Sequence, residues 1–495
     1  MLKCYPRLVV ASASSLFLAC LASVASAAPV TLPDTAAGRL VGELIHHVNA
    51  DNPEQMRRWA PTILSADIAP SDQAGFVQQL VVTTHDSGGV DVVDLHTHPR
   101  QPGLLQVVVK ARRTGRHALF VLAADPVKPD KLAQADLVGM QDPSLYADWP
   151  KGPVSQAELQ HLIKAALDQL VRANDFSGCL TVSDGNKTIV NECRGLAERN
   201  FGVANDHRTK FHIGSLNKMF TAVAVAQLVE ADKLSWDSTL AQLVPEYPDQ
   251  AAARNITVWQ LLHHTSGLSD FLVPEFFHHR EQYVDLKGYL DLIARQPVLS
   301  EPGKQFNYSN SGYVLLGRII ENVSGKSYFD YVRKCVFAPA GMADSGFDAI
   351  EDITPNLAVG YFRDGPLADK WKAAWMKIPF KGDPAGASYS TNADLLRFAR
   401  ALRKGELVKP ATLAKMFDDQ VPAGPGGYAA GFGDRLSHGR HIRGHAGGIE
   451  GTDANLAIIW ETGAAVALTS NEGPAENWLL AERIADLLAA GYEKP

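Results

Sequence analysis

The sequence has no long basic run, no internal repeat, no low-complexity tract and, past its first residues, no apolar stretch long enough to span a bilayer. Lys110-Ala111-Arg112-Arg113 is the longest basic cluster, and the formal charge is -7. That balance excludes the basic footprint of a nucleic-acid-binding surface. Cysteine is scarce as well, five in 495 residues, so any disulfide framework is minimal. What remains is a composition of 46% hydrophobic and 20% charged residues, that of a soluble globular protein. The length exceeds one ordinary core and predicts two domains, or one large domain with an appendage.

Residues 1–27 read as an export signal. Lys3 and Arg7 supply the positive start, Leu8 to Val24 is apolar, and Ala25-Ser26-Ala27 is a small-x-small cleavage site. A membrane anchor fits less well because small and polar residues interrupt the stretch. Lipid attachment at Cys20 also fits less well, since Phe17-Leu18-Ala19 is a poor lipobox. The expected location is periplasmic or secreted. Cleavage would remove Cys4 and Cys20 and leave Cys179, Cys193 and Cys335. Cys179 and Cys193 lie seven residues either side of Asn186, in two strand-like segments joined by Asp184-Gly185-Asn186-Lys187. They form either a cross-strand disulfide, which an oxidising compartment permits, or two free thiols on a sheet face. The choice depends on register.

From residue 28 to 142 the pattern predicts a small α+β accessory unit. Two helices lie between Ala36 and Leu64, broken at Asn49-Ala-Asp-Asn-Pro53, and strands follow at Val90 to Leu95, Leu104 to Arg112 and His117 to Leu122. The order of elements is that of a cystatin-like or nuclear-transport-factor-like domain. Residues 143–154 are Pro-rich and read as a linker, so a fragment starting near Gly152 is expected to fold and act alone. From 155 to 495 an amphipathic helix (Ser155 to Ala173) comes first and the Cys179–Cys193 hairpin next. A hairpin of Ala454 to Trp460 with Ala464 to Ser470 and a last helix (Ala475 to Ala490) close the chain. Strands at both ends with helix and loop between them predict one antiparallel sheet built from both termini, flanked by helices, with an all-α insert.

Chemistry enters at Ser215-Leu216-Asn217-Lys218, which opens an almost wholly apolar helix. A serine and a lysine three residues apart share one helix face. The hydroxyl becomes a nucleophile when a base takes its proton, and a lysine kept neutral by burial is such a base. The helix start adds free N–H groups beside the oxygen that gains charge. Further blocks accompany the pair: His264-Thr265-Ser266-Gly267-Leu268, Glu301-Pro-Gly-x-x-Phe-x-Tyr308-Ser309-Asn310, Ala340-Gly-Met-x-Asp344-Ser345, Ala387-Ser-Tyr-Ser-Thr-x-x-Asp394, and His445-Ala446-Gly447-Gly448.

In these blocks, from about Ser155 to the C-terminus, the chain resembles the serine β-lactamase and penicillin-binding-protein superfamily. The resemblance is to the branch of class C β-lactamases, D-aminopeptidases, D-alanyl-D-alanine carboxypeptidases and esterases. It implies a β-lactamase/transpeptidase-like α/β (α+β) fold and a serine hydrolase working through an acyl-enzyme without metal or organic cofactor. Ser215 would be the nucleophile, Lys218 would take or hold its proton, and Tyr308, as phenolate or hydrogen-bonded phenol, would be the leading general base. Asn310, His445 and Gly447 would contact substrate, with the N–H groups of Ser215 and Gly448 as the oxyanion hole. Many members carry Lys-Thr-Gly or Lys-Ser-Gly where His445-Ala446-Gly447 stands. A histidine is charged only part of the time near neutral pH, so small-molecule esters, amides or peptides are the expected substrates. Their preference over cephalosporins is expected to narrow toward about pH 6. A true β-lactamase, or a penicillin-binding sensor without turnover, is the alternative reading.

Other residues invite rival readings. His263 and His264 are expected to pack or cap behind the site. Ser266-Gly267 lacks the Gly-x-Ser-x-Gly spacing of a nucleophile elbow. Asp94-Leu-His96-Thr-His98 mimics the His-x-His of metal hydrolases, but no further ligands follow on later strands. The oligomeric state is not legible.

Overall fold

A computed structural model describes residues 30–98, 101–185, 187–424, 426–473 and 476–492. The expected signal segment with Cys20, and the hairpin tip at Asn186, lie outside the described residues.

The N-terminal unit is three helices laid on a four-stranded antiparallel meander. The helices are α1 (Ala36–Asn49), α2 (Pro53–Trp59) and α3 (Pro70–Asp86). The strands are β1 (Val90–His98), β2 (Gln101–Ala111), β3 (His117–Ala124) and β4 (Leu132–Met140), paired in that order. Asn52 accepts from the N–H of Gln55 and Pro53 takes the first helical position, which starts α2 where the sequence breaks. Leu44, Met56, Leu80, Val107 and Phe120 meet in its core. Two of these elements, α3 and β4, extend the sequence reading. On β1, His96 Nε2 pairs with Asp94 Oδ2 at 3.0 Å, within an open antiparallel sheet and not a barrel.

Residues 143–154 do not run free between two bodies. Leu145 and Val154 are buried in the core of the second unit, and Tyr146 and Trp149 pack against it. Gln141 bonds Asn477 and accepts from Tyr146.

The second unit is built on an eight-stranded antiparallel sheet. Its strands are β5 (Gly178–Asp184), β6 (Lys187–Arg194), β7 (Val421–Ala423), β8 (Gly426–Tyr428), β9 (Gly433–Ser437), β10 (Arg440–Ile449), β11 (Thr452–Ile459) and β12 (Ala465–Ser470). They lie in the order β7-β8-β9-β10-β11-β12-β5-β6. Both ends of the chain therefore supply the sheet, as the pattern predicts. Helix α4 (Gln156–Arg172), started by Ser155 accepting from the N–H of Glu158, covers one face with the last helix, α8 (Trp478–Ala490). Period-2 alternation along β11 sends Ala457 and Ile459 to that face and Leu456 and Ile458 to the other. There they meet α5 (Asn217–Glu230), α6 (Asn310–Ser324) and α7 (Asn392–Arg403). α5 is buried on every side from Asn217 to Ala226, as a helix that is apolar all round must be. Phe220 on α5 is clasped edge-on by Phe337 and Phe398.

Cys179 and Cys193 face each other across β5 and β6 and are joined by a disulfide. The equal count from the turn holds for a reason the sequence conceals. The strands close at Asp184 and Lys187, so the arms are unequal by one residue, and a bulge between Val182 and Ser183 absorbs the difference.

Candidate active site

Ser215 does not begin the α-helix itself. It sits in a short 3-10 turn, Gly214–Leu216, that feeds α5. Gly214 is in the left-handed region at φ +51°, and a methyl there would lie 2.9 Å from the nitrogen of Gly448. Gly447 explains the approach from the other side: a methyl on it would fall 2.1 Å from the oxygen of Ile213 and 2.7 Å from the nitrogen of Ser215. The Ser215 turn and β10 thus meet through two missing side chains. Gly447 faces the turn, where this contact leaves no room for a side chain.

Lys218 is fully buried. Its Nζ lies 3.0 Å from Ser215 Oγ, 2.7 Å from Asn310 Oδ1 and 2.7 Å from the carbonyl of Ala385. Burial lowers its pKa from the ordinary 10.5 to about 7, against the opposing pull of the Asp383 and Asp270 carboxylates. The amine can therefore exist neutral at working pH, within direct reach of the serine proton.

Tyr308 hydrogen-bonds to Ser215, and Lys218 Nζ lies 4.8 Å from its ring centre. Burial pushes its phenol well above the usual 10. A ground-state phenolate, one of the two forms expected for this residue, is therefore disfavoured, and the hydrogen-bonded phenol is the form this environment holds. Behind it His264, at φ +55°, stacks at 4.2 Å and accepts from the N–H of Ser309 through Nδ1 (3.0 Å). His264 packs and caps, as expected of it. His263 donates from Nδ1 to the Trp259 carbonyl at 2.8 Å and lies on the ring of Trp259. Ser266 is buried and its Oγ accepts from the N–H of Leu268.

Asn310 opens α6, whose cap is Ser309. Its side chain spans two partners, with Oδ1 accepting from Lys218 and Nδ2 donating to Asp270 Oδ2 at 2.7 Å. Asp270 also accepts from the Asn310 N–H at 3.1 Å, a carboxylate at a helix N-terminus. The sequence reading misses Asp270, which stands in a loop with no spelling of its own. It also misses Asp383, which is fully desolvated beside Lys218 and accepts from the N–H groups of Ala385 and Gly386.

His445 corrects an expectation. Its Nδ1 bonds the Ala446 carbonyl, and Nε2 is 3.0 Å from the Tyr428 hydroxyl. A neutral ring donating at Nδ1 and accepting at Nε2 satisfies both contacts. Burial and the nearby Lys218 charge hold its pKa well below 6.5. That shift disfavours a cation at His445 between pH 8 and 6 and weighs against the expected narrowing of substrate preference.

Gly444 pairs with Gly433 of β9, where β9 ends its pairing with β10. Main-chain direction alternates along a strand, so Ala446 and Gly448 present their peptide groups on the same side, past the end of β9. The Gly448 nitrogen lies beside Gly214 of the Ser215 turn. Together these groups bring a serine hydroxyl, an amine and a phenol to one place, beside the Gly448 end of β10. Among the described residues, no cluster of three or more His, Cys, Asp or Glu is arranged to hold a metal ion, and no helix is long and apolar enough to cross a membrane.

The sequence profile of the family described as Beta-lactamase matches residues 163–490. The putative penicillin-binding protein PbpX of Bacillus subtilis (strain 168) is 30% identical over 270 residues, 53% of this chain and 64% of that protein's length. Esterase EstB of Burkholderia gladioli is 28% identical over 291 residues, 52% of this chain and 74% of the esterase. Among solved structures, the D-amino acid amidase from Ochrobactrum anthropi SV3 superposes with a TM-score of 0.58 at 27% identity, covering 67% of this chain and 98% of that one.

Proposed function

The chain belongs to the Beta-lactamase family, and we propose that it is a serine hydrolase that cleaves esters or amides through an acyl-enzyme on Ser215. The observation that carries this reading is Lys218 Nζ, buried and 3.0 Å from Ser215 Oγ. Neutral Lys218 takes the Oγ proton as Oγ attacks the substrate carbonyl carbon. The carbonyl oxygen gains the negative charge and is met by the N–H groups of Ser215 and Gly448. The bond to the leaving oxygen or nitrogen then breaks, and the proton passes from the lysine ammonium, by way of the Tyr308 hydroxyl, to the leaving group. Water repeats the sequence on the acyl-enzyme, giving its proton to Lys218 and releasing acid and free Ser215. Asn310 holds the lysine, and Asp270 holds Asn310.

Neutral acyl donors suit the pocket, because His445 offers no charge to a substrate carboxylate. Relatives named esterase and amidase support the same substrate class. An export signal at residues 1–27 and a periplasmic or secreted location accompany this reading.

Mass spectrometry after a fluorophosphonate should place the adduct on Ser215. An adduct on Ser266 or Ser309 would overturn the site. A hydrolysis panel of a nitrophenyl ester, a D-aminoacyl anilide, a D-Ala-D-Ala peptide and a chromogenic cephalosporin should show the ester or anilide ahead at both pH 8 and pH 6. A cephalosporin far ahead of any ester would make the chain a true β-lactamase, and acylation without turnover would make it a sensor.

A further inference from the structure

Loop residues 362–378 belong by sequence to the second unit, yet Leu367 is completely buried in the core of the N-terminal unit, among the residues that include Leu44 and Phe120. The neighbouring carbonyl of Pro366 accepts from Arg116 Nε of the N-terminal unit at 3.2 Å. Four residues upstream of Leu367, Arg363 lies 3.6 Å over the ring of Trp371 and bonds Asp175, which also pairs with Arg116.

The seam around this peg is not a continuous apolar contact. A cleft of about 520 Å³ opens beside it, lined by His117, Met140, Arg363, Trp371 and Glu476 among others. Leu367 is the residue of this loop that enters the N-terminal core.

Both ends of the loop pack beside the residue that follows Gly448. Phe362, Ala374 and Ile378 form a small core with Ile449, the residue directly after Gly448. Ala374 leaves no room for a side chain on Gly451, where a methyl would lie 2.6 Å from it. Arg280 donates to the carbonyls of Trp375 and Ile378, the latter at 2.8 Å. Arg280 lies ten residues after Asp270.

We infer that the N-terminal unit is a positioning device for catalysis: through Leu367 seated in its core it holds the bridging loop, and the loop sets the Gly448 end of β10 against Ser215. The inference rests on the proposed use of the Gly448 N–H as an oxyanion donor. Small misplacements of such a donor act on rate more than on binding.

The test uses full-length chain. Leu367→Ala should lower kcat on a nitrophenyl ester about 10-fold with KM within about twofold. Leu367→Met, which nearly conserves volume, should restore most of the rate. Leu44→Ala damages the same core without touching the loop and should keep kcat within about twofold of wild type while lowering Tm. Hydrogen exchange of the segment 446–449 should speed up in Leu367→Ala and not in Leu44→Ala. Should Leu367→Ala fail to fold, Arg116→Ala should show the same exchange change and a kcat about threefold down. Unchanged kcat and exchange in Leu367→Ala, or equal losses in Leu44→Ala, would overturn the inference. The exchange measurement needs no catalysis, so it separates this failure from failure of Ser215 to label in the wild type.

Discussion

Where α5 is pressed between the sheet and the helical insert, the polar groups are crowded into a dry core and tied on several sides. Lys218 reaches three acceptors, Asn310 links lysine to Asp270, and Asn217 and Thr221 on the same helix bond Asp383, Pro384 and Tyr328. Where the N-terminal unit meets the hydrolase, one buried leucine and a stacked arginine stand beside an open cleft. The first seam over-determines each atom, which is what pre-organised chemistry requires. The second stands farther from Ser215 and acts on it through intervening segments, so its influence on the reaction should be smaller.

The sharpest break in that comparison comes from removing the amine. Lys218→Met should lower kcat/KM by about 10³-fold, the middle of the range for general-base loss, measured on a nitrophenyl ester at pH 8. Retained activity would mean that the dry network is structural only. Tyr308→Phe should cost about 10²-fold and leave fluorophosphonate labelling detectable, because the phenol is held protonated and relays a proton instead of initiating attack. A loss equal to that of Lys218→Met would return the base role to Tyr308.

Asp270→Asn should cost about 10-fold by freeing Asn310. It carries a signed pH effect. The Asp270 charge raises the lysine pKa, so its removal should move the acid limb of kcat/KM to lower pH; a limb moved upward contradicts the assignment. The loss from loosening Leu367 belongs at about this level. Smallest of all should be reduction of Cys179–Cys193 at the sheet edge. With its cysteines fourteen positions apart in sequence, the link is worth about 3 kcal/mol. Tm should fall by several degrees in a reducing agent while kcat stays within about twofold.

Legibility in the sequence follows the same division. Ser215 and Lys218 share one helix turn, the periodicity of α4 is local, and Cys179 and Cys193 flank a single hairpin, so neighbouring residues announce them. Asp270 and Asp383 reach the site through loops whose course depends on long-range packing, and each is an ordinary acidic residue in its own surroundings. Leu367 stands in a polar loop and gives no sign that its core lies some 250 residues earlier, at Arg116 and its neighbours. α3 was hidden because its apolar positions form only a weak stripe among Gln, Thr and Asp, and β4 because polar residues alternate with small ones. His445 meets Tyr428, a partner seventeen residues away in sequence. The Pro-rich spelling of residues 143–154 suggested a free linker, whereas Tyr146 and Trp149 dock it.

The pH dependence of Ser215 acylation by a neutral fluorophosphonate, followed in the wild type and in His445→Gln, tests the central claim most directly. A buried lysine acting as the base requires the rate to rise with pH through one ionisation near about 7 and then level off, and this limb must persist in His445→Gln. A rate that is flat until about pH 10, or a limb that vanishes with His445, would contradict it.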